Sequence, residues 1–316
     1  MTHETASWPQ VRRDHAPLVR TSYESRESHV DSATKPRAVV VTGCSSGIGR
    51  AVALRLLRAG YAVHATARRV GDMEDLARAG AKVARVDVTD ATSVNDCVRE
   101  VEAVHGPVWG LVNNAGYALA GPVEDIGVEQ VRHQFEVNVF GALRMAHAVL
   151  PGMRSAGEGR IVNISSVAGR FSLPGGGCYH ASKHALTCLS DTLRLETRPF
   201  GVRVSTVEPA AVNTAFIDTA LRVLASSGRG LPAYRTFRAD LDRYYRQVQS
   251  RPRRHGLGTP QTVAAAVERA LSARTPRPRY VVGAAAHLCL GLHDVLPRAW
   301  FETVVRLAFP LPGPGG

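Results

Sequence analysis

Tyr179 and Lys183 stand four residues apart in the run Gly177-Cys178-Tyr179-His180-Ala181-Ser182-Lys183. Leu186, Leu189 and Leu193 follow at three- and four-residue intervals, with Ala185 and Leu195 flanking them, which predicts a helix with an apolar face. Helical residues i and i+4 stack on one side, so the phenol and the ammonium share a face. A neighbouring cation favours phenolate and pulls a tyrosine below its usual pKa of about 10. Such a phenol exchanges a proton with an alcohol or carbonyl oxygen near neutral pH. The same spacing occurs on plain surface helices, so its meaning depends on what precedes it. Ser166 lies thirteen residues upstream of Tyr179, across the glycine-rich loop VAGRFSLPGGG. That length lets the loop fold back and bring both hydroxyls to one substrate oxygen. Asn138 interrupts the apolar stretch VNVFGAL. Once buried it needs a partner: a water, a backbone group or a neighbouring helix.

Four segments upstream must position these groups. Ala38-Val39-Val40-Val41 reads as a buried parallel strand, and RAVALRLLRAG as an amphipathic helix closed by Gly60. Between them lie Gly43, Cys44, Ser45, Ser46, Gly47, Ile48 and Gly49, spaced GxxxGxG. A glycine-rich turn between strand and helix admits a pyrophosphate to the helix N-terminus. The second strand, 61–67, ends at Arg68 and Arg69. An arginine here accommodates the 2′-phosphate of NADP(H), where NAD sites place an acid. The alternative is a pair of solvated strand-end charges. A third strand ends at Asp87 and Val88, where adenine contacts fall, and 91–105 reads as a helix. A fourth, 109–112, leads into Asn113-Asn114-Ala115-Gly116, small enough for close cofactor packing or for a tight asparagine turn. Residues 128–144 read as helix, then 160–166 as a fifth strand. Strands alternating with helices imply a doubly wound parallel α/β sheet.

The sixth strand, 202–207, precedes Glu208-Pro209-Ala210-Ala211-Val212-Asn213-Thr214. Residues 215–258 are placed to form a substrate lid. Their arginines (Arg235, Arg238, Arg243, Arg246, Arg251, Arg253, Arg254) either meet an acidic substrate or form the solvated face of a helix. Thr259 and Pro260 open another helix as N-cap and N1, and 279–283 is a last strand. The tail from 284 is apolar and covers the substrate mouth, a subunit contact or, third, a membrane interface. With 316 residues, one α/β domain (37–283) between an N-terminal extension (1–36) and this tail suffices.

Net charge is +12, and 36 of the 39 basic residues are arginine. No dense basic run with aromatic interleaving appears, which excludes a nucleic-acid footprint. Lysine at position 183 therefore stands out in an arginine-rich chain. Five cysteines without CxxC or metal-ligand spacing point to reduced thiols in the cytoplasm, with no metal site. No signal-peptide core and no membrane-spanning apolar run is seen.

With the glycine loop, NNAG, Asn138, Ser166 and YxxxK in chain order, the sequence resembles the short-chain dehydrogenase/reductase family from about Arg37 to Thr214. VEPAAVNT and ATARR are most similar to its hydroxysteroid and retinol dehydrogenase branch. The resemblance implies a Rossmann-type sheet of about seven strands and a homodimer or homotetramer. It implies a tetrad in which Tyr179 is the acid/base, Ser166 polarises the substrate oxygen and Asn138 anchors a relay water. Lys183 would bind the nicotinamide ribose and depress the tyrosine pKa. Asn114, Ala115, Gly116, Pro209, Ala210, Val212 and Thr214 would line the nicotinamide side. The family's usual Pro-Gly is Pro209-Ala210 here, which implies a modest repositioning. The activity so implied is NADPH-dependent ketone reduction, or alcohol oxidation, on a bulky apolar or polycyclic substrate. Redox-assisted epimerisation or cyclisation, and NADP(H) sensing without turnover, are the rival readings.

Overall fold

The structure, a computed structural model, describes residues 36–212, 215–226, 229–250 and 258–312. Most of the N-terminal extension, Thr214, Arg251, Arg253 and Arg254 lie outside the described residues. Seven strands, β1 (Ala38–Thr42), β2 (Ala62–Ala67), β3 (Lys82–Arg85), β4 (Gly110–Asn113), β5 (Gly159–Ile164), β6 (Val202–Pro209) and β7 (Arg279–Val282), form one sheet. Every pairing is parallel, in the order β3-β2-β1-β4-β5-β6-β7. The order reverses between β1 and β4, and ligands of such sheets bind beyond the strand ends at that reversal.

Eleven helices are seen among the described residues: α1 (Gly47–Arg58), α2 (Glu74–Arg78), α3 (Ala91–His105), α4 (Val128–Phe135), α5 (Gly141–Ala156), α6 (Gly177–Thr197), α7 (Ala215–Ser226), α8 (Arg235–Ser250), α9 (Pro260–Ser272), α10 (Ala284–Val295) and α11 (Arg298–Ala308). Successive strand residues face opposite ways, so Val39 and Val41 meet α1 and α9 while Val40 meets α3 and α5. Both faces of the sheet are thus covered, which is why the central strands are apolar throughout.

Three elements differ from the sequence reading. The helix expected over 128–144 is α4, a π-helical turn Glu136–Phe140, and α5 running on to Ala156. The tail is two helices, α10 and α11. The inward face of α6 is largely polar: Lys183, Thr187 and Ser190 are buried at i, i+4 and i+7, whereas Leu189 and Leu195 turn outward. The cause lies at the end of β5, where the buried Asn163 and, just past the strand, Ser165 require hydrogen-bond partners. Asn163 donates to Ser190 Oγ (2.8 Å), and Ser165 pairs with Thr187 Oγ1 (2.7 Å).

The stretch expected to form a lid contains α7 and α8, packed on Ala118 and Ala120 just beyond β4 through Leu224, Phe237 and Leu241. Arg238 departs from the solvated-face reading, because it enters an ion pair with the fully buried Asp125 and donates to the Leu224 carbonyl (2.7 Å). Asp125 also accepts from the main chain of Leu231 (3.0 Å) and, through its carbonyl, Arg229 (2.8 Å). One carboxylate therefore ties the turn before α8 to the loop after β4.

Candidate active site

The three fastenings between α6 and β5 fix where Tyr179 and Lys183 point. Lys183 is buried and donates from Nζ to the Ile164 carbonyl at the end of β5 (2.8 Å), with Nζ 5.8 Å from the Tyr179 ring centroid. The Tyr179 phenol, half-buried, lies close enough to Ser166 for that hydroxyl to draw its pKa down. Ser166 Oγ also donates to the Pro209 carbonyl (3.2 Å) and accepts from the Ala168 N–H (3.1 Å). The loop thus folds back as its length suggested, and the two hydroxyls meet.

Electrostatics depart from the sequence reading at one point. Burial pushes the Tyr179 phenol up, against the Ser166 hydroxyl that lowers it, with a further upward push from Tyr245. Burial also pulls Lys183 down to about 8. The expected depression of the tyrosine is absent because the ammonium is occupied by a main-chain carbonyl and both groups are desolvated. One consequence is measurable. Between about pH 8 and about 10.5 the native lysine is neutral while the unfolded one is charged. The unfolded lysine then holds the extra proton, so the contribution of Lys183 to the stability of the cofactor-free protein rises with pH across that window, by on the order of 3 kcal/mol. The buried thiols of Cys44 and Cys97, pushed up to about 12 and about 11, pull the other way from the alkaline end, so the rise is read as the difference between the wild type and Lys183→Met. Urea midpoints across the window check it, and parallel curves for the two proteins would contradict it.

Asn138 occupies the π-helical turn. Its side chain bridges the main chain of Tyr117 (N–H to Oδ1, and Nδ2 to the carbonyl, both 3.0 Å) to Ser182 Oγ (3.0 Å). Ser182 donates to the Tyr179 carbonyl (2.7 Å). Of the three partners left open by the sequence, the side chain takes a backbone group and a neighbouring helix. Ser182 is a residue that sequence reasoning missed; its signal was its place directly before Lys183, facing back along the helix.

On the other side of the reversal, Asn114 Nδ2 donates to the carbonyls of Thr42 (2.9 Å) and Gly43 (3.0 Å), and Thr42 Oγ1 accepts from the N–H groups of Asn114 and Ala115 (both 3.0 Å). The NNAG turn is thus stapled under the glycine loop. Gly43 has φ +73°, the left-handed region that favours glycine. Any Cβ on Gly49 would collide with the Gly43 carbonyl and Asn114, and one on Gly116 would reach Asn138 Oδ1 at 3.0 Å. Ser46 is the exposed N-cap of α1, and its side chain makes no cap bond. No acid stands in the first turn, so the helix N-terminus presents its N–H groups to an anion.

Arg68 and Arg69 part company. Arg69 pairs with Asp72 (2.9 Å), whereas the charge of the exposed Arg68 helps to hold Asp87 down and partly offsets the upward push of burial on Tyr117. Asp87 Oδ1 accepts from Thr89 N–H (3.0 Å) and Oγ1 (2.7 Å), and these bonds lower its pKa first of all. Val88 is buried against Gly141, and its carbonyl accepts from Arg144 (3.3 Å). Val212 is buried and joined to Gly258 by an isolated bridge, so only its main chain is left for a ligand. Ala210 is half-buried beside Pro209. Ser45, Gly47 and Ile48 lie at the mouth of the same loop.

A glycine loop at a helix N-terminus, at the reversal of a parallel sheet, beside paired hydroxyls and a buried ammonium, fits a nicotinamide dinucleotide. The chain belongs to the short-chain dehydrogenase family, whose description it matches over residues 37–222. It is an NAD(P)-dependent oxidoreductase of the Rossmann fold acting on alcohol or ketone substrates. Mouse retinol dehydrogenase 5 is 36% identical over 288 residues, covering 87% of this chain and 89% of that protein. The 3-ketodihydrosphingosine reductase of Bacteroides thetaiotaomicron is 39% identical over 184 residues, 58% of this chain and 67% of that one. A short-chain dehydrogenase from Streptomyces avermitilis superposes with TM-score 0.70 at 34% identity, covering 87% of this chain and 98% of that one. One from Burkholderia phymatum, solved with NAD, gives 0.71 at 28% over 89% and 98%. An alcohol dehydrogenase from Thermococcus sibiricus, solved with 5-hydroxy-NADP, gives 0.63 at 27% over 79% and 97%.

Proposed function

We propose that this protein is an NADP(H)-dependent reductase of ketones, or dehydrogenase of the corresponding secondary alcohols, on bulky apolar substrates, with Tyr179 as the acid/base. The observation that carries this reading is the meeting of the Tyr179 phenol and Ser166 hydroxyl beside buried Lys183, under an apolar lid. Phe216 lies edge-on to Tyr179 (centroids 5.5 Å), and Tyr245, Phe237 and Leu241 complete that wall with Ala118 and Ala120. An apolar wall of this kind suits the retinoid and long-chain keto lipid that two relatives are named for.

The bound nicotinamide supplies or accepts the hydride. Ser166 turns its O–H from the Pro209 carbonyl to the substrate oxygen and polarises it. In reduction Tyr179 gives that oxygen its proton, and the upward push on the phenol keeps the donor loaded. In oxidation it must accept one, so a positive charge beside it is needed. Lys183 provides that charge and a donor for ribose hydroxyls. Asn138 holds the Tyr117 turn and α6 at a fixed separation, and a relay water is left to its main chain. The loop residues Gly43, Ser45, Ser46, Gly47, Ile48 and Gly49 receive the pyrophosphate. Asp87 and Val88 would meet adenine, and Asn114, Ala115, Gly116, Pro209, Ala210 and Val212 would flank the nicotinamide.

Arg68, the strand-end arginine whose charge reaches Asp87 and Tyr117, would receive the 2′-phosphate together with Ser46. Arg68→Glu is therefore expected to lower kcat/KM for NADPH by about tenfold to a hundredfold and to leave NADH nearly unchanged. Equal losses with both cofactors would show that Arg68 reads no phosphate.

A further inference from the structure

Two helices close the described chain, and each carries an apolar stripe covered by no other described residue. In α11, Trp300, Val304 and Leu307 follow at i, i+4 and i+7, one line along the helix, and Leu311 lies just past its end. They are 69%, 39%, 85% and 39% exposed. In α10, Leu288 and Val295 repeat the i, i+7 spacing with similar exposure. The other face of α11 is docked on the body. Phe301 meets Phe171 edge-on (5.5 Å), and Phe309 meets Tyr244 (5.3 Å). Phe171 lies in the loop after Ser166, and Tyr244 is on the lid helix α8. The two C-terminal helices therefore strap the segments that flank the catalytic hydroxyls, with their apolar stripes facing away. A contiguous exposed apolar patch marks an interaction surface.

We propose that this face docks the protein on an anionic lipid bilayer. Charge favours that occupant. The first 35 residues hold five basic and five acidic side chains, so the whole excess of +12 resides in residues 36–316. Such a surface is drawn to an anionic leaflet, whereas a second copy would bring like charge against it. Side-chain type agrees: Trp300 combines an apolar ring with an indole N–H, and Arg306 has an aliphatic stem that lets its charge reach headgroups, while the exposed Arg298 pairs with Glu302 (3.3 Å). A helix of this pattern lies in the plane of the interface with its stripe among the acyl chains. Docking in this way turns the strap, and the site beneath it, towards the membrane. That a lipid substrate is drawn from there rests on the proposed function; the docking does not.

Full-length protein is sedimented with vesicles of phosphatidylcholine alone and of phosphatidylcholine with phosphatidylglycerol, at low and raised salt. The wild type should pellet with the anionic vesicles, less so as salt rises. The double variant Trp300→Glu, Leu307→Glu should lower the bound fraction by about tenfold or more while still binding NADPH. The proposal falls if the wild type ignores anionic vesicles or if the double variant binds them equally. It falls also if the stripe instead joins two copies, seen as a wild-type dimer that the variant splits without any vesicle binding. Lack of reductase activity in both proteins would count against the proposed chemistry and leave the pelleting result to decide the docking.

Discussion

Tyr179→Phe is expected to lower kcat by about 10²–10⁴-fold and to leave NADPH binding intact. The phenyl ring keeps the contacts with Phe216 and His180, so only the proton is removed. Single-turnover rates, with a fluorescence titration of NADPH on both proteins, separate chemistry from binding. A sign follows for pH. Because burial holds the phenol up in the cofactor-free site, reduction should keep its rate well above neutral pH and oxidation should rise with pH. Reduction that fails on the alkaline side of neutrality would mean that a more acidic group supplies the proton.

Arg238→Met carries the second large effect. It leaves the Asp125 carboxylate buried without its guanidinium, which costs about 3–5 kcal/mol for a pair of this burial. The loss should appear as a lower urea midpoint. Because the same carboxylate holds the turn before α8, KM for an apolar ketone should rise more than that for NADPH. Asp125→Asn added to Arg238→Met should recover part of the stability, since the stranded charge is then gone. An unchanged midpoint in Arg238→Met would show that the lid is held by its apolar contacts alone.

The parts of this molecule that obey local rules could be read from the sequence. The glycine loop, the apolar strands, the Gly60 stop of α1 and the Thr259–Pro260 start of α9 each follow from the residues themselves. What escaped depends on partners far along the chain. The polar inner face of α6 makes sense only once the end of β5 places Asn163 and Ser165 under it. Arg238 looked like any exposed helix arginine until the fold brought Asp125 against it, more than a hundred residues away. The direction of the Tyr179 shift was missed for a related reason: i, i+4 spacing puts the cation near, but burial and the Ile164 carbonyl decide how much of its charge the phenol feels. The tail helices were hidden because their exposed apolar residues resemble a core when no outside is known.

The most direct test is stoichiometric: NADPH consumed against alcohol formed, with a bulky apolar ketone such as a long-chain keto lipid. The account predicts one alcohol for each NADPH oxidised by the wild type, at a rate that Tyr179→Phe abolishes. NADPH that binds but is never oxidised across such ketones, or product formed with no net NADPH consumed, would contradict it.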